Sequence, residues 1–551
     1  MNSKIIKLDF ESRWKILTIK GFCDIDHSLI KSIEVYYNQK FIDTLSFGIR
    51  FQNKLIGYKG DLLLEDIVGE FDPYLVEVKY IFLQNNSIIT DKFVENKTQK
   101  TKIGFYDKLF RLYKVVKYRY IINKIFPKRA GVENSIMLFI HNLEYKERIQ
   151  KLRCFELLDK ALKEYGWKLI IVHHSSNILD TDIETIEFNN FSLNIFYKIR
   201  NIKIINKFSK ELNLSVDFLD SLNKSFDKNY LYSMSFDRVY EEFFKTKFLI
   251  DRYAPKIVLN WHEWSSLQYM SKIYCESLNI ENFNVHEGAI YDTLEVDKVG
   301  ELAESWIFED IKEFNKRPLE LKDIEISKKL IKKIKNNNFN RKGQQKKGLI
   351  KKLLSPYKNK KIIFFAGVND SQTGMLPTSY GKSHVHSPVF IDTYDALKYL
   401  SKLAHKNDWY ILFKPHPNVP VRNSKVVNDR VILVNNANVI ECIEETDISV
   451  TLLSTLSYDM MIYDKPTVLL GRNLMSSSGS AYEVENLYNV ETTILSAFNK
   501  EGFDIKQKKY LEHFARLLKY YYFPYSEEAV EYCYRDFSDL ARYLIKNVYK
   551  G

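Results

Sequence analysis

Ile136-Met-Leu-Phe-Ile140 and Lys168-Leu-Ile-Ile-Val-His173 bracket a stretch, Ile149 to Tyr165, whose apolar residues recur at helical spacing and which ends near Gly166. Two short, continuous apolar runs read as strands buried on both faces, and a helix between them makes a strand–helix–strand unit. Such a unit has to cross over to place its second strand parallel to the first, and its repetition builds a doubly wound parallel sheet.

The unit recurs downstream. Lys256-Ile-Val-Leu-Asn-Trp261 is followed by a helical stretch from Ser265 to Leu278 and by Asn282-Phe-Asn-Val-His286. A Lys/Asn-rich segment, residues 328–360, then breaks the apolar pattern and reads as an inter-domain connection with a helical part. Beyond it Lys361-Ile-Ile-Phe-Phe-Ala-Gly367 opens a second series: a helix from Asp392 to His405, strands at Trp409 to Phe413 and Val431 to Val434, a helix at Val439 to Glu445, and a strand at Ile448 to Leu452. The order predicts two Rossmann-like lobes with a cleft between them, residues 131–327 and 361–551.

Residues 1–98 have a different grammar. Trp14 to Lys20 alternates, Ile33-Glu-Val-Tyr-Tyr37 runs into an Asn38-Gln39 turn, and Val76 to Leu83 meets a Gln84-Asn-Asn-Ser87 turn before Ile88-Ile-Thr90. Short strands with polar turns predict a small β-sandwich-like domain. Residues 99–130 form a basic linker in which Phe105, Leu109, Leu112, Val116 and Tyr120 recur at helical spacing. Two roles suit it: an element lying on an anionic membrane surface, or a helix packed on the next domain with its basic face in solvent.

At 551 residues, a length prior of about 100–200 residues per domain predicts three or four units. With 45% hydrophobic and 14% aromatic residues the chain has the material for sizeable cores. The net charge of +12 is concentrated. Residues 97–129 hold eleven Lys/Arg against Asp107 alone, and residues 328–361 hold fourteen against no acid, so attraction to anionic partners is local to these patches. The basic runs lack the aromatic platforms of nucleic-acid-binding modules, and no nucleic-acid partner is expected. Cys23, Cys154, Cys275, Cys442 and Cys533 are scattered and form no C-x-x-C pair, which predicts reduced, buried thiols. No signal-peptide-length or membrane-spanning apolar run occurs, and the expected location is the cytoplasm.

The candidate chemistry lies at strand ends. Phe413-Lys414-Pro415-His416-Pro417 directly follows a strand and puts a cation and an imidazole in a stiffened loop, an anion-binding corner or a structural turn. Leu453-Ser454-Thr455 comes one strand later, where a helix begins. Its hydroxyls and free backbone N–H groups either meet a phosphate or cap the helix. Asp459 is one helical turn on, at the reach of a ribose hydroxyl, and Lys465-Pro466 re-enters a strand.

Taken together, K-P-H-P followed by Ser454-Thr455, Asp459 and Lys465-Pro466 resembles the C-terminal lobe of the capsule polysaccharide synthesis proteins, which include retaining β-Kdo transferases. More distantly it is similar to the CDP-glycerol glycerophosphotransferases. The likeness takes in Ala366 to Ser371, with Asn369 and Asp370, where the family tends to have a Gly-Gln-x-x-x-Asp-like loop. It also takes in Val285-His286-Glu287-Gly288, followed by Asp292, Thr293, Glu295, Asp297 and Gly300, similar to the family's E-x-G segment. It spans about residues 255–490, and the chain has Asp459 where the family usually has Glu.

The resemblance implies a GT-B-like pair of Rossmann-like domains and a glycosyltransferase that moves a sugar from a nucleotide donor, CMP-Kdo-like, to a glycan or lipid-linked acceptor. It further implies donor binding at Lys414, His416, Ser454, Thr455, Asp459, Asn369 and Asp370. Departure of the nucleotide phosphate needs electrostatic stabilisation, which these groups offer without a metal or other cofactor. The acceptor side needs a carboxylate as base or nucleophile, and Glu287 is the first choice, with His286 beside it. His262, Glu263, Asp292 and Asp297 are further acceptor-side candidates, against capping or loop-ordering roles. Asp180-Thr-Asp182 stands in a polar loop away from the other motifs. His384-Val-His386 has too few companions for a metal, and the long loop that carries it suits a mobile lid. A phosphotransferase or sugar epimerase on the same scaffold, and a non-catalytic glycan-assembly protein, are the alternatives.

Overall fold

A computed structural model describes residues 3–11, 16–23, 30–44, 46–51, 54–63, 76–82, 88–92, 134–140, 148–173, 181–187, 236–262, 266–337, 347–370, 373, 375, 383–416, 429–435 and 437–548. The basic helix expected over residues 104–126 lies outside them. Two compact units are present, one built on Met1–Asp107 and the other on Lys108–Val419 with Asn428–Gly551.

The described residues of the first unit are strands and a hairpin turn. Strands β1 (Ser3–Glu11), β2 (Ile16–Cys23), β5 (Ser46–Phe51) and β6 (Lys54–Leu63) form one antiparallel sheet in the order β1-β2-β6-β5. Strands β3 (Ile30–Tyr37), β4 (Lys40–Thr44), β7 (Val76–Phe82) and β8 (Ile88–Lys92) form the other, ordered β4-β3-β7-β8. The expected Asn38-Gln39 turn is present. Both residues have positive φ, 49° and 64°, the backbone of the two-residue hairpins whose twist matches that of their strands. Ile33, Val35, Val76, Val78 and Tyr80 are fully buried and alternate with Glu34, Tyr36, Glu77 and Lys79, the period-2 pattern of a one-sided sheet.

The second unit is α/β and contains two largely parallel sheets. The first is ordered β11-β10-β9-β12-β13-β14-β21, from β9 (Ser135–Ile140), β10 (Lys168–His173), β11 (Glu184–Glu187), β12 (Ile257–Trp261), β13 (Glu281–Glu287), β14 (Thr293–Asp297) and β21 (Phe523–Pro524). Strands β14 and β21 run antiparallel to their neighbours, and the rest are parallel. The helix Arg148–Lys163 joins β9 to β10, and Gly166, at φ 72°, follows it in the left-handed conformation that ends helices. The second sheet is entirely parallel, ordered β17-β16-β15-β18-β19-β20. Its strands are β15 (Ile362–Ala366), β16 (Tyr410–Lys414), β17 (Val431–Leu433), β18 (Ile448–Thr451), β19 (Thr467–Leu469) and β20 (Tyr482–Glu483). This is the pair of Rossmann-like lobes expected from the order of elements.

One boundary differs from the pattern. The periodicity keeps residues 361–551 in a single lobe, whereas β21 pairs with β14, and the helix Phe537–Val548 packs on Arg148–Lys163 in the first lobe. Phe523, Tyr525, Phe537, Leu540, Ala541 and Leu544 share a core with Ile136, Leu138 and Phe155. The basic segment 328–361 begins inside the helix Leu321–Asn337, which buries Leu330 and Ile334 and packs against the helix Phe503–Tyr520. Cys154, Cys275, Cys442 and Cys533 are buried free thiols, and burial pushes each well above the usual thiol range. Among the described residues no helix is long and apolar enough to cross a membrane.

Candidate functional site

In the second lobe β15 has β16 on one side and β18 on the other, so the strand order reverses between β15 and β18. The crevice outside the carboxyl ends of an open α/β sheet lies at such a point. Three loops leave the sheet there. Gly367, after β15, donates its N–H to the Lys414 carbonyl (2.9 Å), and a Cβ on it would stand 3.2 Å from Pro415 Cα, so its lack of a side chain permits the close approach. Thr451, ending β18, donates its hydroxyl to the Ala366 carbonyl (3.0 Å) and ties the third loop to the first.

The candidate donor residues are unequally available at this edge. Lys414 is half-buried with Nζ 3.4 Å from the Asn435 carbonyl, and burial lowers its pKa. His416 is half-buried and Pro417 lies outside the described residues. Ser454 Oγ accepts the Leu456 N–H (3.2 Å), and its carbonyl accepts Asn473 Nδ2 (3.3 Å). Thr455 makes no side-chain cap on the helix Leu456–Ile462, and Asp459 is half-buried one turn along it. Asn369 is half-buried. Asp370 points inward: its Oδ1 accepts both the N–H (3.0 Å) and the hydroxyl (2.8 Å) of Thr393, fixing the start of the helix Thr393–Asn407.

The first lobe presents a buried polar layer. On one face of β12, β13 and β14, Leu259, Trp261, Phe283, Val285, Leu294 and Val296 join an apolar core. On the other face stand Asn260, Asn284, His286, Glu295 and Asp297, none more than 6% exposed. Pairing of Asn260 with Asn284, and of His286 with Glu295, sets these side chains next to one another across the strands. The His286 Nδ1 is 2.7 Å from the Glu287 carbonyl, and its Nε2 is 3.2 Å from Glu295 Oε1 in an ion pair without hydrogen-bond alignment. Burial alone would lower the imidazole pKa. The carboxylates of Glu295 and Glu301, with that carbonyl, outweigh it and hold His286 up to about 10. The ring stacks on His262, centroids 5.4 Å apart. His262 follows β12 at φ 64°, uncommon for a residue with a side chain, and its Nδ1 is 3.7 Å from Glu301. Glu263 lies outside the described residues.

Glu287 ends β13, partly exposed, with Lys151 Nζ 3.4 Å from its carboxylate and the Tyr525 hydroxyl 3.5 Å away. Lys151 also lies 5.0 Å from the centre of the Trp261 ring. Asp292 and Asp297 hold loops. Asp292 Oδ2 accepts the hydroxyls of Ser526 (2.6 Å) and Tyr532 (3.0 Å), while burial raises its pKa. Asp297 accepts the N–H groups of Val299, Gly300 and Trp306. Burial and the charge of Glu295 push it up to about 7 against those hydrogen bonds.

No protein-family model and no curated protein matches the sequence. Among solved structures the chain is similar to the Thermosulfurimonas dismutans KpsC β-Kdo 2,7 transferase, at 18% identity over 53% of this chain and 90% of that one, with a TM-score of 0.32. It is similar to a KpsC β-Kdo 2,4 transferase of the same organism, at 14% identity over 49% and 81%, TM-score 0.36. A glycosyltransferase from Rickettsia africae covers 76% of this chain and 100% of its own, at 15% identity and a TM-score of 0.32. Likenesses this distant transfer no activity to the chain.

His386, read as half of a weak metal pair in a mobile loop, is fully buried in the structure. Its Nε2 is 2.9 Å from Glu304 of the first lobe, and its carbonyl accepts the Arg472 N–H (2.7 Å). The loop is therefore anchored at that end, and residues 376–382 of it lie outside the described residues. No cluster of three or more His, Cys, Asp or Glu suited to a metal occurs among the described residues. Sequence reasoning missed Lys151, Glu301, Tyr521, Tyr522 and Tyr525. The run Tyr520-Tyr-Tyr-Phe-Pro-Tyr525 was the available signal, an aromatic stretch that continues neither as helix nor as solvent-facing loop.

Proposed function

We propose that this chain is a glycosyltransferase of cell-surface polysaccharide synthesis that moves a sugar from a nucleotide-activated donor, CMP-Kdo-like, to a glycan or lipid-linked acceptor. The observation that carries this reading is the convergence of three loops, through Gly367, Lys414 and Thr451, at the reversal point of the second sheet. The half-buried ammonium of Lys414, the imidazole of His416 and the Ser454-Thr455 turn would there oppose the charge that develops on the departing phosphate. Glu287 would act on the acceptor side as base or nucleophile, with Lys151 and Tyr525 fixing its carboxylate. Asp292, Asp297 and Asp370 would serve as framework, because their oxygens are engaged by the loops they order.

Purified protein incubated with CMP-Kdo, CDP-glycerol, UDP-sugars and GDP-sugars tests this reading. Release of one nucleotide with transfer of its sugar supports it. Epimerised donor with no release, or no turnover of any donor, would replace it with the epimerase or the non-catalytic reading. Residues 97–129 would add an anionic membrane surface as partner. Binding to anionic but not neutral vesicles, lost at high salt, is the outcome expected, and equal binding to both would rule it out.

A further inference from the structure

The stretch that returns the chain from the second lobe to the first meets β14 and the turn after Glu287 through two adjacent tyrosines. The backbone N–H groups of Tyr521 and Tyr522 both reach the Leu517 carbonyl (3.0 and 2.9 Å), so the pair is fixed to the end of the helix Phe503–Tyr520. That helix is held in the second lobe by Tyr510, whose hydroxyl donates to the Tyr458 carbonyl (3.1 Å), and by His513, whose Nε2 donates to the Leu474 carbonyl (2.7 Å). From this anchored end the two side chains diverge. The Tyr521 hydroxyl donates to Glu295 (2.7 Å) and lies 2.9 Å from Asp297, below His286. The Tyr522 hydroxyl accepts the Ala289 N–H (3.0 Å), and its ring occupies the space beside Gly288, where a Cβ would stand 2.7 Å from Cε1.

Tyr521 is 2% exposed and Tyr522 fully buried, so neither can touch a substrate. Tyr522 contacts the backbone that follows the Glu287 carboxylate, at residues 288 and 289, while Tyr521 holds the carboxylates of Glu295 and Asp297 on the neighbouring strand. A buried hydrogen bond to the main chain fixes a turn more tightly than packing alone, because an unpaired N–H there costs the full desolvation penalty. A small misplacement of a reacting carboxylate is costly in rate, since the reacting atoms must meet at near-attack distances.

We infer that Tyr522 is a positioning residue, which aims the Glu287 carboxylate by holding the Gly288-Ala289 turn from the second lobe's helix. The inference rests on the acceptor-side role given to Glu287 above.

Tyr522→Phe keeps the ring and removes the acceptor. With CMP-Kdo as donor, kcat for transfer is expected to fall about tenfold, the equivalent of about 1.4 kcal/mol, while the donor KM stays at the wild-type value. In the Glu287→Gln background the same change is expected to cost nothing further, because the carboxylate it aims is gone. Wild-type kcat in Tyr522→Phe, a rise in KM alone, or an equal loss in both backgrounds would overturn the inference. Should Tyr522→Phe fail to fold, amide hydrogen exchange of the wild-type chain decides: an Ala289 N–H protected as strongly as the strand amides beside it supports the inference, and exchange at the rate of an open loop overturns it. Wild-type transfer by Glu287→Gln alone would instead remove the acceptor-side reading on which the inference stands.

Discussion

His286 lies parallel to His262, their planes 15° apart, with the outer ring partly in solvent and the inner one sealed between Glu295 and the Glu287 carbonyl. The inner imidazole carries a proton in the folded chain because the carboxylates of Glu295 and Glu301 overcome the cost of burying its charge. A folded-state pKa of about 10 against an ordinary 6.5 means that folding takes up a proton over that range. The stabilisation is therefore whole below about pH 6.5 and lost as pH rises toward about 10, at a slope of up to ~1.4 kcal/mol per pH unit. Replacing the imidazole in His286→Gln should flatten this alkaline arm. Urea unfolding of both proteins across that range checks it, and parallel curves would mean that His286 is neutral when folded. Asp297, raised from 3.8 to about 7, acts with the same sign in the window just below.

Gly288 tolerates no side chain. A Cβ there would overlap Thr293 Oγ1 and stand 2.7 Å from the Tyr522 ring, both buried and both hydrogen-bonded through their hydroxyls. Gly288→Ala is expected to destabilise the chain by about 1–3 kcal/mol, the usual cost of overpacking a filled site. A denaturant midpoint equal to the wild type would show that the turn relaxes freely, and would weaken any account in which it is held rigid.

The strands and lobes were legible because buried parallel strands are continuous apolar runs, as in Ile362-Ile-Phe-Phe and Ile448 to Thr451, and nothing but burial explains such runs. The polar layer was not. Asn260, Asn284, Glu295 and Asp297 alternate with apolar residues as though one face met solvent, yet that face is enclosed. Local alternation reports that two faces differ, not what covers the second. The return of Tyr521–Tyr525 to the first lobe was equally hidden. Contacts such as Ser526 with Asp292 join residues 234 positions apart, and an apolar segment carries no mark of which sheet will accept it. Lys414, His416 and Ser454 were legible as strand-end polar groups, since their place follows from the strand before them.

His416→Ala tests the donor side. The imidazole stands two residues beyond β16, in a loop whose neighbour Pro415 is packed against Gly367, so removing the ring leaves the loop's backbone contacts intact. Loss of one preorganised group that stabilises developing charge is expected to lower kcat on the order of 10²-fold in a variant that still unfolds cooperatively. Turnover at the wild-type rate would take His416 out of the donor site.

Glu287→Gln tests the acceptor side and is the sharper of the two substitutions, because it keeps the shape of the side chain and removes its charge and basicity. Lys151, at 3.4 Å, loses its ion-pair partner, but the pair is partly exposed, so stability should change by no more than about 1 kcal/mol. Nucleotide binding is expected to survive, since its proposed groups belong to the second lobe. Transfer is expected to fail, by 10²-fold or more if the carboxylate is the base and more completely if it is the nucleophile. Titration calorimetry with the released nucleotide, run beside a transfer assay, separates the two effects. Normal transfer would move the acceptor-side role to another carboxylate. Loss of nucleotide binding together with transfer would mean that the substitution disturbs the fold of the turn between Glu287 and Thr293, a result the unfolding curve of the variant would reveal.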